Sequence, residues 1–223
     1  MNGTKAEGLY VRQLELGPMK NFVYLVGAQE SAEVVVVDPA WDVAAICRAA
    51  EADGKRLSAV FLTHHHFDHL NGVPELLRTD DVPVYAQRAE VDFAEAVQKF
   101  GSAVKPVGPG DTFRVGAAEL TCVHTPGHTP GSQCLLTRNA LVSGDTVFVN
   151  ACGRCDLSGG DAAQMYDSLH RVLGALPGET LLYPGHDYGD VRVSSLERER
   201  RHNPYFQLAQ LEAFVAHRNR PRG

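Results

Sequence analysis

Long apolar runs are missing from this chain of 223 residues. Stretches such as Val34–Val37 and Ala59–Leu62 are strand-sized, far short of the ~20 residues a membrane-spanning helix needs. A basic excess is missing too. The 21 Lys and Arg against 27 Asp and Glu leave a net charge of −6, which argues against a nucleic-acid partner. The first sixteen residues carry neither the basic nor the apolar segment of a secretory signal, so the expected location is the cytoplasm. Cysteine is scarce and odd in number, five residues without regular spacing, which argues against a secreted disulfide scaffold. Cys152 and Cys155 make a C-x-x-C, but no second such pair completes a cysteine-rich zinc knot and no thioredoxin-like strand precedes it. The pair reads as two cysteines in a glycine-rich loop. Repeats and low-complexity segments are absent as well. What remains is 44% hydrophobic and 22% charged, ordinary for a soluble globular protein, and long enough to bury a substantial core as one domain over 1–223.

Along the chain, strand and helix patterns alternate. Residues 9–16, 21–28 and 33–38 read as strands, the last a β-branched run suited to burial on both faces. Residues 38–54 switch to helical composition, with Asp42 as N-cap and Gly54 as stop. Residues 58–63 form another strand, 69–79 a helix, 83–86 a short strand and 88–101 a helix. Strands follow at 112–115, 118–125, 132–138 and 140–145. The strongest helix pattern is 161–176, capped by Asp161 and carrying Leu169, Val172, Leu173 and Leu176 as an apolar stripe. Residues 180–187 form a strand into a turn, and a charged helix over about 204–219 closes the chain.

Only ten residues are histidine, yet four of them fall within 64–69, in the stretch THHHFDH. Alternate residues of an extended chain share a face, so His64 and His66 can address one ion. The turn into a helix then aims Asp68 and His69 elsewhere, and His65 points away. Imidazole and carboxylate ligands suit zinc, iron or manganese, and a catalytic ion needs about three protein ligands plus an open position. The remaining ligands should be isolated His or Asp residues at later strand ends. His128 in TPGHTPGS, Asp145 in SGDT and His186 in YPGHDYG fill that need. Strand ends are where an α/β scaffold presents function, so one shared site is expected.

THHHFDH followed by His, Asp and His on successive strand ends resembles the metallo-β-lactamase superfamily, over about residues 9 to 206. The resemblance implies an α/β fold, a four-layer αβ/βα sandwich with the metal site at one edge of the two sheets. It implies two divalent ions, zinc first, with iron or manganese as alternatives. His64, His66 and His128 would hold the first ion, and Asp68, His69 and His186 the second, with Asp145 bridging. Among branches, the di-iron electron carriers have Glu where this chain has His66. True metallo-β-lactamases lack the bridging aspartate, and RNA-processing members add domains and basic surface. LTHHHFDHLNG and TPGHTPGS are similar to glyoxalase II, a glutathione-thioester hydrolase. ACGRCD, YPGHDYG and SSLERERRHNP also resemble the persulfide dioxygenases, in which one iron would be held by His64, His128 and Asp145 alone.

Both branches place a basic residue near glutathione at the position of Arg154, and Tyr188 is a second pocket candidate. The chain departs from glyoxalase II at Asp156, where that branch has tyrosine, and after residue 204, where that branch adds a helical domain. The expectation is a thioester hydrolase working through a metal-bridging hydroxide, with Asp68 and Asp145 as catalytic residues. Its substrate would be a small-molecule conjugate of a low-molecular-weight thiol, and the protein a monomer or homodimer. The alternative is an oxidoreductase with one iron. Asp187 is read either as a partner that orients His186 or as a turn residue.

Overall fold

The computed structural model describes residues 8–218. Its first sheet runs in spatial order through β1 (Leu9–Leu16), β2 (Asn21–Ala28), β3 (Glu33–Val37), β4 (Arg56–Phe61), β5 (Val84–Gln87) and β6 (Val104–Val107). The second sheet contains β7 (Thr112–Val115), β8 (Ala118–His124), β9 (Gln133–Thr137) and β10 (Ala140–Gly144). After a small ribbon of β11 (Val147–Phe148) and β12 (Ala151–Cys152), it is completed by β13 (Leu181–Pro184) and β14 (Ser194–Ser195). Its order is β14-β13-β10-β9-β8-β7, with β10 and β13 parallel.

Side-chain alternation explains the layers. Along β3, Val34 and Val36 pack into the cluster beneath the first helical layer, while Val35 and Val37 pack toward the second sheet. Along β2, Val23 and Leu25 take the helix side, and Phe22, Tyr24 and Val26 the side between the sheets. A strand buried on both faces needs apolar residues at every position, which is why these segments show continuous runs. Leu141 and Leu182 of the second sheet meet Met165, Leu169, Leu173, Leu196, Phe206 and Phe214 on its outer side. Helix, sheet, sheet and helix make the four-layer αβ/βα sandwich. Each fully buried Val, Leu or Phe in it contributes roughly 1.5–3 kcal/mol.

The caps behave as their chemistry requires. Asp42 accepts from the Ala45 amide at 2.8 Å to start the helix Val43–Ala52. Asp161 accepts from the Ala163 and Gln164 amides to start Ala162–Asp167.

Several expected elements are broken instead. The helix expected over 69–79 is two, Phe67–Leu70 and Val73–Thr79, because Gly72 packs against the Pro39 carbonyl. That over 88–101 divides at Ala94, which is extended at φ −108° and ψ 107°. The break lets Glu90 face the 129–131 loop while Ala94 and Val97 turn into the core. Beyond Asp167 the α-helix gives way to a π turn at Ser168–Val172 and a 3-10 turn at Leu173–Ala175. Ser168 is tied through its hydroxyl to the Pro126 carbonyl at 2.6 Å, so this stretch follows the site loop rather than α-helical spacing. The C-terminal helix is likewise two, Pro204–Gln207 and Leu211–Arg218, which seats both Phe206 and Phe214 in one cluster. Residue 219 lies outside the described residues. β6, β11, β12 and β14 carry no alternation long enough to read, and partner strands define them.

Candidate metal centre

Four strand ends converge on one edge of the sandwich. The segment after β4 carries His64 and the extended His66 and then turns into the short helix with Asp68 and His69. The turn after β8 delivers His128, Asp145 directly follows β10, and β13 ends just before His186. All seven expected ligands therefore meet, and they sort into two trios. The donor atoms of His64, His66 and His128 lie within 4.8 Å of one another, and so do those of Asp68, His69 and His186. His128 Nε2 is 2.9 Å from His66 Nδ1, and His69 Nε2 is 3.1 Å from His186 Nε2. Asp145 lies between the trios. Its Oδ2 is 3.6 Å from His128 Nε2, while its Oδ1 is 3.3 Å from His69 Nε2 and 3.5 Å from His186 Nε2.

Four of the five inward imidazoles are anchored through their other nitrogen. His69 Nδ1 meets Asp38 Oδ2 at 2.8 Å, His128 Nδ1 the Arg154 carbonyl at 2.7 Å, and His186 Nδ1 the Met19 carbonyl at 2.9 Å. His64 Nδ1 lies 3.0 Å from Thr63 Oγ1. Anchoring by an oxygen acceptor puts the proton on Nδ1 and leaves the Nε2 lone pair aimed inward. Lone pairs facing one another at about 3 Å repel unless a cation lies between them. His64 Nε2 and Asp145 Oδ1 are buried with no hydrogen-bond partner, a costly arrangement for apolar surroundings. With zinc–nitrogen bonds near 2.0–2.1 Å, tetrahedral ligands sit ~3.3 Å apart, a spacing these contacts match. The donor set fits a metal.

The electrostatics agree. Burial pushes the His64 imidazole well below its ordinary range, and burial with His128 and His65 brings His66 down to about 4. Burial alone would raise Asp145, but His69, His186 and His128 outweigh it and hold the carboxylate below the usual range. Against the downward push of burial, Asp145, Asp38 and Asp68 raise His69 to about 9. The carboxylates draw positive charge to this point.

Several contributors carried no motif. Asp38, at the end of β3 with φ 52°, accepts from the Thr63 amide and hydroxyl as well as from His69. Both its oxygens are engaged, so it orients His69. An isolated strand-end aspartate is the signal that would have found it. Asn21 Nδ2 donates to the Asp68 carbonyl and to Asp68 Oδ2, both at 2.9 Å, and Asn21 Oδ1 accepts from the Trp41 indole. Asp187, in contrast, does not orient His186. The Met19 carbonyl already takes His186 Nδ1, and Asp187 faces Arg192 at 3.7 Å.

His65 turns away from both trios onto Glu90, whose carboxylate is 1% exposed. Glu90 accepts from the His65 amide and Nδ1, both at 2.6 Å, from the Thr129 hydroxyl, and from the Gly131 amide at 2.8 Å. It thus ties the His64–His66 segment to the His128 loop. Every partner is a donor, and a carboxylate only accepts. Glu90→Gln places an NH2 against one of them, at a cost of about 2–3 kcal/mol. Thermal unfolding should fall by about 4–12 °C; an unchanged melting temperature would refute the tie.

The trios open onto a cavity of about 830 Å³. Met19, Phe67, Phe148, Leu157, Tyr188 and Tyr205 provide much of its wall. Tyr188 lies flat on the His186 ring, centroids 4.6 Å apart, and is half exposed at the mouth. Arg154 also lines the cavity, its Nε and one terminal nitrogen held by Asp156 at 2.7 and 2.8 Å. Cys152, on β12, and Cys155, beyond it, are buried and form no disulfide.

A His/Asp centre at the open edge of two packed sheets, beneath a small-molecule cavity, defines a metal-site αβ/βα sandwich protein. The chain belongs to the metallo-β-lactamase superfamily, whose profile matches residues 16–186. It is 34% identical over 200 residues to the probable polyketide biosynthesis zinc-dependent hydrolase BaeB of Bacillus velezensis, covering 90% of this chain and 88% of that protein. Human persulfide dioxygenase ETHE1 is 33% identical over 96% of this chain and 82% of its own length. The hydroxyacylglutathione hydrolase of Salmonella typhi is 38% identical over 75% of this chain, which spans 62% of that enzyme. The crystal structure of ETHE1 from Myxococcus xanthus superposes with a TM-score of 0.85 at 34% identity, covering 96% of this chain and 92% of that one. No helix among the described residues is long and apolar enough to cross a membrane.

Proposed function

We propose that this protein is a metal-dependent hydrolase that cleaves the thioester of a small thiol conjugate. His64, His66 and His128 hold one divalent ion, and Asp68, His69 and His186 the other, with Asp145 shared and zinc the first choice of metal. One observation carries the reading: Asp145 presents one oxygen toward each trio. Two ions bound there supply Lewis-acid polarisation of the acyl oxygen and bring a water pKa toward ~7.

The chain's own groups do the rest. Asn21 fixes the Asp68 carboxylate, which orients the attacking water, takes its proton and returns it to the sulfur as the thiolate departs. A leaving thiolate, with an ordinary thiol pKa of ~8.5, departs without a strong general acid, which matches a site with no further free acid in its motifs. Phe148 and Tyr188 wall the reacting centre, and Arg154 faces the thiol carrier. The five cysteines, none joined in a disulfide, accord with a reducing cytoplasm.

The second reading is a mononuclear-iron persulfide dioxygenase using His64, His128 and Asp145. It is favoured by this chain's coverage of ETHE1, fuller than its coverage of the glyoxalase II relative. Purified protein assayed for zinc, iron, thioester hydrolysis and persulfide-dependent oxygen uptake separates the two. About two ions per chain with hydrolysis is the expected result. Asp68→Ala should then lower the metal content to about one ion and slow hydrolysis by about 100-fold. A single iron with persulfide-dependent oxygen uptake, unaltered in amount by Asp68→Ala, overturns the hydrolase.

A further inference from the structure

Trp41, the chain's only tryptophan, lies in the loop after β3 with φ 68°, a left-handed conformation that a bulky residue adopts only where its surroundings compel it. It contributes no donor to either trio, yet it is tied to the four-residue helix Phe67–Leu70, which carries Asp68 and His69. Its ring meets Phe67 edge-on at the start of that helix, centroids 6.1 Å apart. Its backbone N–H donates at 2.7 Å to Oδ1 of Asn71, the residue that ends the helix. Its indole N–H donates to Asn21 Oδ1 at 2.8 Å, and Asn21 in turn holds Asp68. A Cβ on Gly17 would lie 2.4 Å from the indole, so only glycine lets the turn between β1 and β2 close over the ring.

The indole contact decides something that Asn21 cannot decide alone. A carboxamide has a donor end and an acceptor end of nearly the same shape, and turning it over exchanges them. An indole N–H only donates, so it admits the Oδ1 end and no other. Nδ2 is thereby turned onto Asp68, where it donates to the main-chain carbonyl and to Oδ2, both at 2.9 Å. The opposite orientation would set an oxygen against those two acceptors. Asp68 Oδ2 is also the oxygen that faces the second trio, 3.5 Å from His186 Nε2 and 3.6 Å from His69 Nε2. Through one amide, the indole therefore acts on the carboxylate oxygen offered to the second ion.

We propose that Trp41 is a positioning residue for the second ion: it fixes which end of the Asn21 amide faces Asp68, braces both ends of the short helix, and so holds Asp68 ready as a ligand. The inference rests on the two-ion reading above and adds to it a residue that touches neither metal nor substrate. Because no other tryptophan is present, the emission of Trp41 should also report whether the second ion is bound.

The test draws zinc off the loaded protein with a graded chelator, counts the ions retained and follows the tryptophan emission. Asp68→Ala, left with the first ion alone, shows which release belongs to the second trio. In the wild type that release is expected to shift the Trp41 emission, since only Asn21 stands between the indole and the carboxylate. Trp41→Phe keeps a ring beside Phe67 and loses the N–H. It should weaken the second ion by about 10–100-fold, the cost of losing a group that orients a ligand, and leave the first little changed. Asn21→Leu should weaken the second ion as much, and the double variant no further than Asn21→Leu alone, because two changes that break one linkage do not add. Equal loss of both ions, an unchanged second ion, or a Trp41→Phe effect that persists in full beside Asn21→Leu would reduce Trp41 to packing and overturn the inference.

Thermal melts of the wild type and these variants confirm folding and supply the second measurement. If the wild type holds one ion and Asp68→Ala holds as much, the two-ion reading falls. Coupled losses of melting temperature in Trp41→Phe and Asn21→Leu then still show that the indole sets the amide, and additive losses remove that link as well. If Trp41→Phe does not fold, Asn21→Leu decides. Its Trp41 emission should no longer follow the second ion, and an emission that follows it as in the wild type overturns the inference.

Discussion

Asp145→Ala is expected to strip metal from both trios at once and to lower turnover by well over about 100-fold. That figure is the upper end of what losing a mere orienting partner of a metal ligand costs, and Asp145 is in the centre itself. Its two oxygens point to different histidine groups, so no neighbour can replace it. Removing the carboxylate also leaves His69, raised by Asp145, Asp38 and Asp68 together, without the largest of those influences. Metal analysis of the purified variant, with hydrolysis measured at saturating zinc, checks the result. A variant that keeps its full metal content would place the shared ligand elsewhere and overturn the bridging assignment.

Gly127→Ala is expected to cost about 3–5 kcal/mol and to lower the melting temperature by about 6–20 °C, although the change adds a single methyl group. Gly127 has φ 134°, a conformation that residues with a Cβ rarely adopt. A methyl group there would also meet the Met165 amide nitrogen at 2.3 Å, inside the helix Ala162–Asp167. Either the helix or the loop must move. The loop carries His128 directly after Gly127, so the first trio should bind metal more weakly even where the variant folds. A thermal melt and a zinc titration distinguish this from a harmless substitution. A melting temperature within a degree or two of wild type would show that the loop has room the packing denies.

Much of the site was legible before any coordinates. His64, His66, Asp68 and His69 stand within six residues, and local spacing on an extended segment running into a helix divides them as they are found. His128, Asp145 and His186 were recognisable because each follows an apolar strand and is bracketed by turn-forming residues. Glu90 was not legible in the same way. It occupies an ordinary position in a helical pattern, and only the packing of that helix against the 129–131 loop makes it a four-bond anchor. Asn21 opens a strand like any other polar residue, yet it holds Asp68, 47 positions away. Arg218 read as part of a charged C-terminal helix, yet the fold buries it in the cavity wall against Tyr205 and the Gly153 carbonyl.

By itself the sequence determined the alternation of buried strands and helices, the superfamily, and seven residues that the fold brings together. The first follows from periodicity, which acts over a few residues of one chain, and the other two from a motif resemblance and from polar residues at strand ends. The helix breaks at Asn71–Gly72, Ala94 and Leu208–Gln210 came from tertiary structure, since packing overrides a continuous helical pattern when each half must meet a different surface. So did the placing of Asp145 between two trios, the anchoring of four of the five inward imidazoles, and the burial of Arg218. Each of these joins residues from separate strands and helices, and only the closure of two sheets at one edge brings them within bonding distance.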